Sequence, residues 1–359
     1  MSQGELDAEA LGHVAGGDAS ATIIAGVDLN FMENNIQDKL SLFVSNTQSI
    51  KKEFRLHDGM MKRMVALLYA QENKPVDCEA IWRCYSMIKK DTGAFSSFRG
   101  NTALCMAALL SLSPDPQGLF DATLKVHDLL RSVKLRTSDF LVMAAYEIAT
   151  QADSAGYSNA VNRTRAFYDS MKARRFLTAG SSDYVFAAML GLSDLDVMRG
   201  TDYVEQLHGR FKHEFSSKKS VQTLSQVLVL GGADDKAVEH VLTLRDAFKT
   251  EGIRMDKYYT LPTLGVLSLL PTELNTIVRD VGETQKTLQA LKGLGSQEML
   301  IFAAAIVACG HAESTENNVL AATLSTSLTS LINMIIAQQA AIAIIMMSTA
   351  SSVTASSGS

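Results

Sequence analysis

The sequence has few of the residues that interrupt helices or favour strands. Its 359 residues include only 5 prolines, and aromatic residues make up 7% of the chain. Proline breaks helices, whereas aromatic and β-branched residues are enriched in strands. Alanine, leucine and methionine, which favour helices, are abundant instead. We therefore predict an all-α fold, and the 47% of apolar residues are ample for a core.

Cysteines are also few. Cys78, Cys84, Cys105 and Cys309 have neither the spacing of a disulfide framework nor a CxxC motif. No basic region followed by an apolar run, as in a secretion signal, precedes them. We therefore expect reduced thiols and a cytoplasmic location.

Charge is unevenly distributed along the chain, whose net charge is −5. Residues 1–28 contain five acidic residues and no lysine or arginine, and we predict that they form an acidic, flexible tail. Residues 293–359 contain three acidic residues and no base, which leaves 33 bases and 30 acids for the rest. This weak excess does not favour nucleic acid as a partner.

An apolar helical phrase recurs along the chain and is clearest at Met106–Leu112. Its equivalent central residues are 42, 37, 43, 39, 39 and 39 residues apart: Ala66, Ala108, Ala145, Ala188, Val227, Val266 and Ala305. A period near 40 is typical of stacked helical hairpins. We predict an array of about seven helix-turn-helix repeats, arranged as an open α-solenoid or as a closed helical bundle.

Each repeat is predicted to pair a buried first helix, which contains the phrase, with a more polar second helix such as Val197–Phe211. Side chains that could cap the first helices are Asp58, Thr137 or Ser138, Ser181 or Ser182, Asp256 and Ser296. The predicted organisation is a capping helix over 29–56, repeats over 57–314, an uncharged apolar helix over 315–347 and a Ser/Thr-rich tail over 348–359.

The turns alternate in charge. Acidic residues follow the first helices and basic residues follow the second helices, which complements the helix dipoles. A basic rim that holds an acidic protein surface is the functional alternative, and its partner-binding candidates are Lys172, Arg174, Arg175, Lys212, Lys218 and Lys219. Since no aromatic residues are interleaved with these bases, we do not expect nucleic acid there.

The C-terminal region carries no charge for 43 positions after Glu316. Leu328 to Met347 would span ~30 Å as a helix, enough to cross a membrane. Asn333, Gln338 and Gln339 argue against insertion, because their polar groups would need partners in lipid. We expect a buried helix, with self-association or membrane association as the alternatives.

Two segments suggest chemistry. Asp234, Asp235 and Glu239 are weak metal candidates of the kind that binds a metal–diphosphate, but no facing acidic set accompanies them. Cys309 and His311 could form a nucleophilic pair, although side chains two residues apart on a helix diverge. We therefore predict no catalytic residue, cofactor or metal. The favoured function is a macromolecule-binding scaffold, and the alternative is an enzyme with a pocket inside the helical array.

Three stretches carry a family resemblance: the Asn30–Phe54 helix leading to Met60–Leu68, the segment Gln222–Gly231, and Gln338-Gln339-Ala340-Ala341. With these features the chain resembles a bacterial family known as domain of unknown function 4003, over about residues 29–350. The resemblance implies a soluble, bacterial, cytoplasmic helical protein. It assigns no activity and no functional residue.

Overall fold

The computed structural model describes residues 34–100, 102–174, 179–291 and 293–316. These residues form fourteen α-helices and no strand, so the predicted all-α fold is confirmed for them. The helices are α1 (Asn34–Glu53), α2 (Gly59–Gln71), α3 (Cys78–Asp91), α4 (Ala103–Ser111), α5 (Pro116–Ser132), α6 (Asp139–Gln151), α7 (Tyr157–Ala173), α8 (Tyr184–Leu192), α9 (Val197–Phe211), α10 (Lys218–Leu230), α11 (Ala237–Thr250), α12 (Leu261–Ser268), α13 (Leu274–Leu288) and α14 (Ser296–Glu316).

Three predicted segments lie outside the described residues. They are the acidic tail 1–28, the apolar segment 315–347 from residue 317 onwards, and the Ser/Thr-rich tail 348–359. The predicted capping helix over 29–56 corresponds to α1, which begins at Asn34.

The even-numbered helices form the interior. In α4, seven of the nine residues are buried, so this helix is apolar on every side. The seven residues that define the sequence period all lie on even-numbered helices and are at most 1% exposed. Each even-numbered helix packs against the odd-numbered helix before it, and most also contact the next even-numbered helix. The phrase therefore marks the buried helices, as predicted.

The odd-numbered helices bury one face and expose the other. In α9 the buried side chains recur at helical spacing, as Thr201, Val204, His208 and Phe211 show. Odd-numbered neighbours contact each other along the series from α1 to α13. This pattern is that of amphipathic helices laid over an apolar layer.

The first and last described helices meet. Helix α14 packs against α1 and α2 as well as against α12 and α13. The rings of Phe43 in α1 and Phe302 in α14 lie 5.2 Å apart. A Cβ atom added at Gly310 would collide with Cγ1 of Ile36 and lie 3.2 Å from its Cα. The glycine thus permits a backbone approach that a larger residue would prevent.

Helix α1 also fixes the end of α2. The buried ammonium of Lys39 donates to the backbone oxygen of Gln71 at 2.9 Å and to Oδ1 of Asn73 at 3.1 Å. Asn46 accepts from the backbone N–H of Val76 at 2.7 Å. The last carbonyls of a helix lack partners within the helix and form the negative end of its dipole. Lys39 therefore satisfies groups that would otherwise be buried without hydrogen bonds.

Helix starts agree in part with the predicted caps. Asp58 accepts from Met60 and Met61, and Ser138 accepts from Leu141. The prediction for Asp256 is wrong, because α12 begins only at Leu261. The Asp256 carboxylate binds the guanidinium of Arg254 instead, at 2.8 Å.

The carboxyl group of Glu147 is buried among the interior helices. Glu147 in α6 is 6% exposed and accepts a hydrogen bond of 3.2 Å from Nε2 of Gln151. Burial raises the pKa of Glu147 to about 7, while the Gln151 hydrogen bond opposes the shift. A carboxyl group in an apolar site favours its neutral form.

Replacing Glu147 tests this protonation. As the pH rises from 4.5 to 7, the unfolded chain loses the Glu147 proton while the folded protein retains it, so the free energy of unfolding falls. The loss is on the order of 3 kcal/mol at most. Glu147→Gln should remove this part of the pH dependence and be more stable than the parent at pH 8, as urea unfolding would measure. The exposed control Glu79→Gln should keep the parental slope; an equal slope in Glu147→Gln would refute the interpretation.

The contact between α1 and α14 predicts a second outcome. Gly310→Ala should lower the free energy of unfolding by about 1–3 kcal/mol, because the added methyl group overpacks against Ile36. Gly209→Ala in α9 is the matched control, since a Cβ there meets nothing within 4 Å. It should stabilise the helix by roughly 0.5–1 kcal/mol. Thermal or urea unfolding of both variants shows whether each substitution lowers or raises the stability.

Candidate binding surfaces

Three of the predicted partner-binding lysines are exposed at the ends of helices. Lys172 is in the last turn of α7, Lys212 follows α9 and Lys218 begins α10. All three are exposed. Helix α9 packs against both α7 and α10. We call Lys172, Lys212 and Lys218 the lysine surface.

Arg174 has a partner within the protein. Its guanidinium lies 2.5 Å from Oδ1 of Asp202 and 3.7 Å from Oε2 of Glu205, both on α9. These are charge contacts, since neither guanidinium nitrogen has hydrogen-bond geometry. They join the end of α7 to α9. Arg175 lies outside the described residues.

Lys219 neutralises a buried carboxylate. Its ammonium lies 2.6 Å from both carboxylate oxygens of Asp183, which is 1% exposed. The same carboxylate accepts from Nε2 of Gln222 at 2.9 Å and from the backbone N–H of Gly180 at 2.8 Å. Asp183 directly precedes α8, so these contacts fasten the start of α8 to α10. In this position Lys219 has a structural role.

Acidic residues close in sequence to the lysine surface are already engaged. Glu214 binds the guanidinium of Arg245 at 2.9 Å, and Asp169 binds that of Arg165 at 2.7 Å. An acid that is paired internally does little to offset a neighbouring exposed lysine. Lys172, Lys212 and Lys218 are themselves exposed.

A groove lies at the opposite turns, between the α10–α11 and α12–α13 connections. Its volume is about 740 Å³, and Asp234, Glu239 and His240 contribute to its lining. The Asp234 carboxylate accepts from the backbone N–H of Lys236 at 2.9 Å, which stabilises the turn before α11. Asp235 is exposed and does not line the groove. In the described parts of the chain, no three His, Cys, Asp or Glu side chains are grouped so that they could hold a metal ion.

Cys309 and His311 face different helices. The Cys309 thiol accepts from Nε2 of Gln71 in α2 at 3.4 Å. The His311 imidazole lies 2.9 Å from Oδ2 of Asp280 in α13, and both side chains are buried. The two residues thus diverge as their helical spacing predicts. Asp280 was not expected from the sequence, since it precedes His311 by 31 positions.

The aromatic residues contribute one surface that the sequence did not indicate. Trp82 is 39% exposed and stacks on the buried ring of Phe54, with a centroid distance of 4.5 Å. His57 and Tyr85 pack edge-on around it. The sequence did not predict this cluster, because its residues come from two separate segments, the α1–α2 turn and helix α3.

The described helices include no candidate for a membrane span. None of them combines the length and the apolar character that crossing a bilayer requires. The candidate segment Leu328–Met347 lies outside the described residues.

The chain belongs to the family described as "Protein of unknown function (DUF4003)", which it matches over residues 46–341. The family resemblance expected from the sequence is thereby confirmed. Comparison with curated proteins and comparison with solved structures both gave no match. The family brings no activity and no residue roles, so a functional proposal must come from the geometry above.

The contacts of Lys219 predict that replacing it lowers the stability more than replacing the adjacent Lys218. Lys219→Met would leave the buried Asp183 carboxylate without its cation and should cost about 2–4 kcal/mol of unfolding free energy. Lys218→Met, on the exposed neighbour, should change stability by less than about 0.5 kcal/mol. Adding Asp183→Asn to Lys219→Met should restore part of the loss. Equal stability of the two single variants, measured by urea unfolding, would contradict the structural role.

Proposed function

We propose that the protein is a macromolecule-binding scaffold that holds an acidic surface of a partner protein on its lysine surface. The exposure of Lys172, Lys212 and Lys218 at the ends of α7, α9 and α10, where α9 packs against the other two helices, carries this proposal. Surface charges of one sign steer a partner of the opposite sign and set the register of docking. Two acids close in sequence to these lysines, Asp169 and Glu214, form ion pairs with Arg165 and Arg245.

The proposed architecture is seven consecutive hairpins closed into a ring. The sequence predicted that each apolar helix pairs with the polar helix after it, but the contacts favour hairpins that pair each even-numbered helix with the odd-numbered helix before it. Helix α14 also meets α1 and α2. The equivalence of the seven buried residues near a period of 40 supports this arrangement. In such a ring, the turns of one kind lie at one edge, so the lysine surface spans the edges of adjacent repeats.

The groove is the alternative site. Its volume falls in the range of small-molecule pockets, and Asp234, Glu239 and His240 supply polar groups. Two features make it the weaker candidate. The Asp234 carboxylate already accepts a backbone N–H, and the nearby carboxylates form no metal-binding group in the described chain. A reaction of the metal–diphosphate type would need such a group.

The test is a triple charge reversal of the full chain, Lys172→Glu, Lys212→Glu and Lys218→Glu. Binding of an acidic polypeptide, poly-glutamate, should weaken by at least about tenfold, because exposed pairs contribute roughly 0.2–1 kcal/mol each and reversal adds repulsion. Fluorescence anisotropy of labelled poly-glutamate at low salt measures the affinity. Proteins captured from a cell extract by the parent and lost with the triple variant would then identify the partner.

The control must change the net charge equally. Lys74→Glu, Lys125→Glu and Lys236→Glu reverse three exposed lysines on other parts of the protein. This variant should retain most of the parental affinity. Equal weakening in both triple variants would show that net charge alone governs binding, and the proposal would then fail. Circular dichroism checks that each variant is folded.

A further inference from the structure

A cluster of aromatic and apolar side chains is exposed beside the end of α1. Leu56 is 100% exposed and Trp82 is 39% exposed. The Tyr85 ring lies 5.7 Å from that of Trp82, at an interplanar angle of 86°, and 5.5 Å from that of His57. We call Leu56, His57, Trp82 and Tyr85 the aromatic patch.

Trp82 in the patch is anchored to the core. Phe54 is 1% exposed and stacks on Trp82 with an interplanar angle of 14°, so a core residue fixes the indole ring. Among the described residues, the large hydrophobic side chains that are exposed include Leu56, Trp82 and Phe95, all within one stretch of 40 positions. Preorganised aromatic residues are frequent anchors of protein interfaces.

Basic residues surround the aromatic patch. The ammonium of Lys89 lies 4.4 Å from the centre of the Tyr85 ring. Segments 51–62 and 89–91 together contain six bases and three acids, a local net charge of +3. Lys51 and Lys52 in the last turn of α1, and Arg55 after it, are exposed. An occupant of this surface should therefore combine apolar side chains with negative charge.

We propose that the acidic segment of this same chain, residues 1–28, docks on the aromatic patch. The segment contains five acidic residues, no lysine or arginine, and interspersed apolar residues such as Leu6, Leu11 and Val14. Its charge thus complements the local excess of bases around Trp82. The covalent link supplies an effective concentration in the millimolar range, so a weak contact suffices.

The segment before α1 is long enough to reach the aromatic patch. Helix α1 begins at Asn34 and has 20 residues, so the aromatic patch lies about 30 Å away, beside the other end of α1. An extended chain covers ~3.3–3.6 Å per residue, and about nine residues span that distance. Of the 33 residues before Asn34, those that contain Glu5, Asp7 and Glu9 remain free to dock.

Trp82 reports on this contact directly, because the chain contains one tryptophan. The experiment compares the full chain with a full-length variant carrying Glu5→Gln, Asp7→Asn and Glu9→Gln. In the parent, the docked segment should shield Trp82 from acrylamide and shift its emission to shorter wavelength. In the neutralised variant, quenching should increase and emission should shift to longer wavelength. Raising the salt concentration should move the parent towards the variant.

The matched control neutralises three exposed acids elsewhere, with Asp121→Asn, Asp128→Asn and Glu239→Gln, and should behave as the parent. Reversing Lys52 and Lys89 to Glu in the full chain should expose Trp82 as the tail variant does. Identical quenching in parent and tail variant would overturn the proposal. Shielding that depends on protein concentration and persists in the tail variant would also overturn it, and would assign the aromatic patch to a second copy.

Discussion

The packing of α1 against α14 is the contact on which the rest of the structure depends. In a repeat array each unit buries its neighbour's surface, so both ends expose apolar side chains unless something covers them. Here one helix contacts α2 and α14 at once. Its Lys39 also satisfies the last carbonyls of α2. The close approach at Gly310 lets the helices meet without a gap.

The proposed function lies on the surface, because apolar side chains fill the interior of the described residues. Helices α4, α8 and α12 are short and buried along almost their whole length, and their small residues serve close packing. Polar groups inside the protein are mostly paired: His311 with Asp280, and Cys309 with Gln71. Such pairs stabilise the contacts between helices. What remains available is the set of turns and the outer faces of the odd-numbered helices.

The sequence predicted what depends on local periodicity and missed what depends on distant partners. The second helix predicted at Val197–Phe211 has those bounds in the structure, since its buried positions follow the helical repeat. The role of Lys219 was not predictable, because its partner Asp183 is 36 positions away and on another element. In the sequence, Gly310 is only the residue between Cys309 and His311. The structure shows why it is glycine, because the side chain and backbone of Ile36 leave no room for a Cβ atom.

The structure explains the charge of the acidic turns better than the charge of the basic turns. Acidic residues at the helix starts have an evident role, since Asp77, Asp115 and Asp196 each accept a first-turn N–H. Exposed lysines at the other turns gain only the weak and screened stabilisation of a helix dipole. Lys218 does not gain this stabilisation, because it lies in the first turn of α10, where the helix dipole disfavours a cation. A lysine that costs stability where it stands argues for a role in binding.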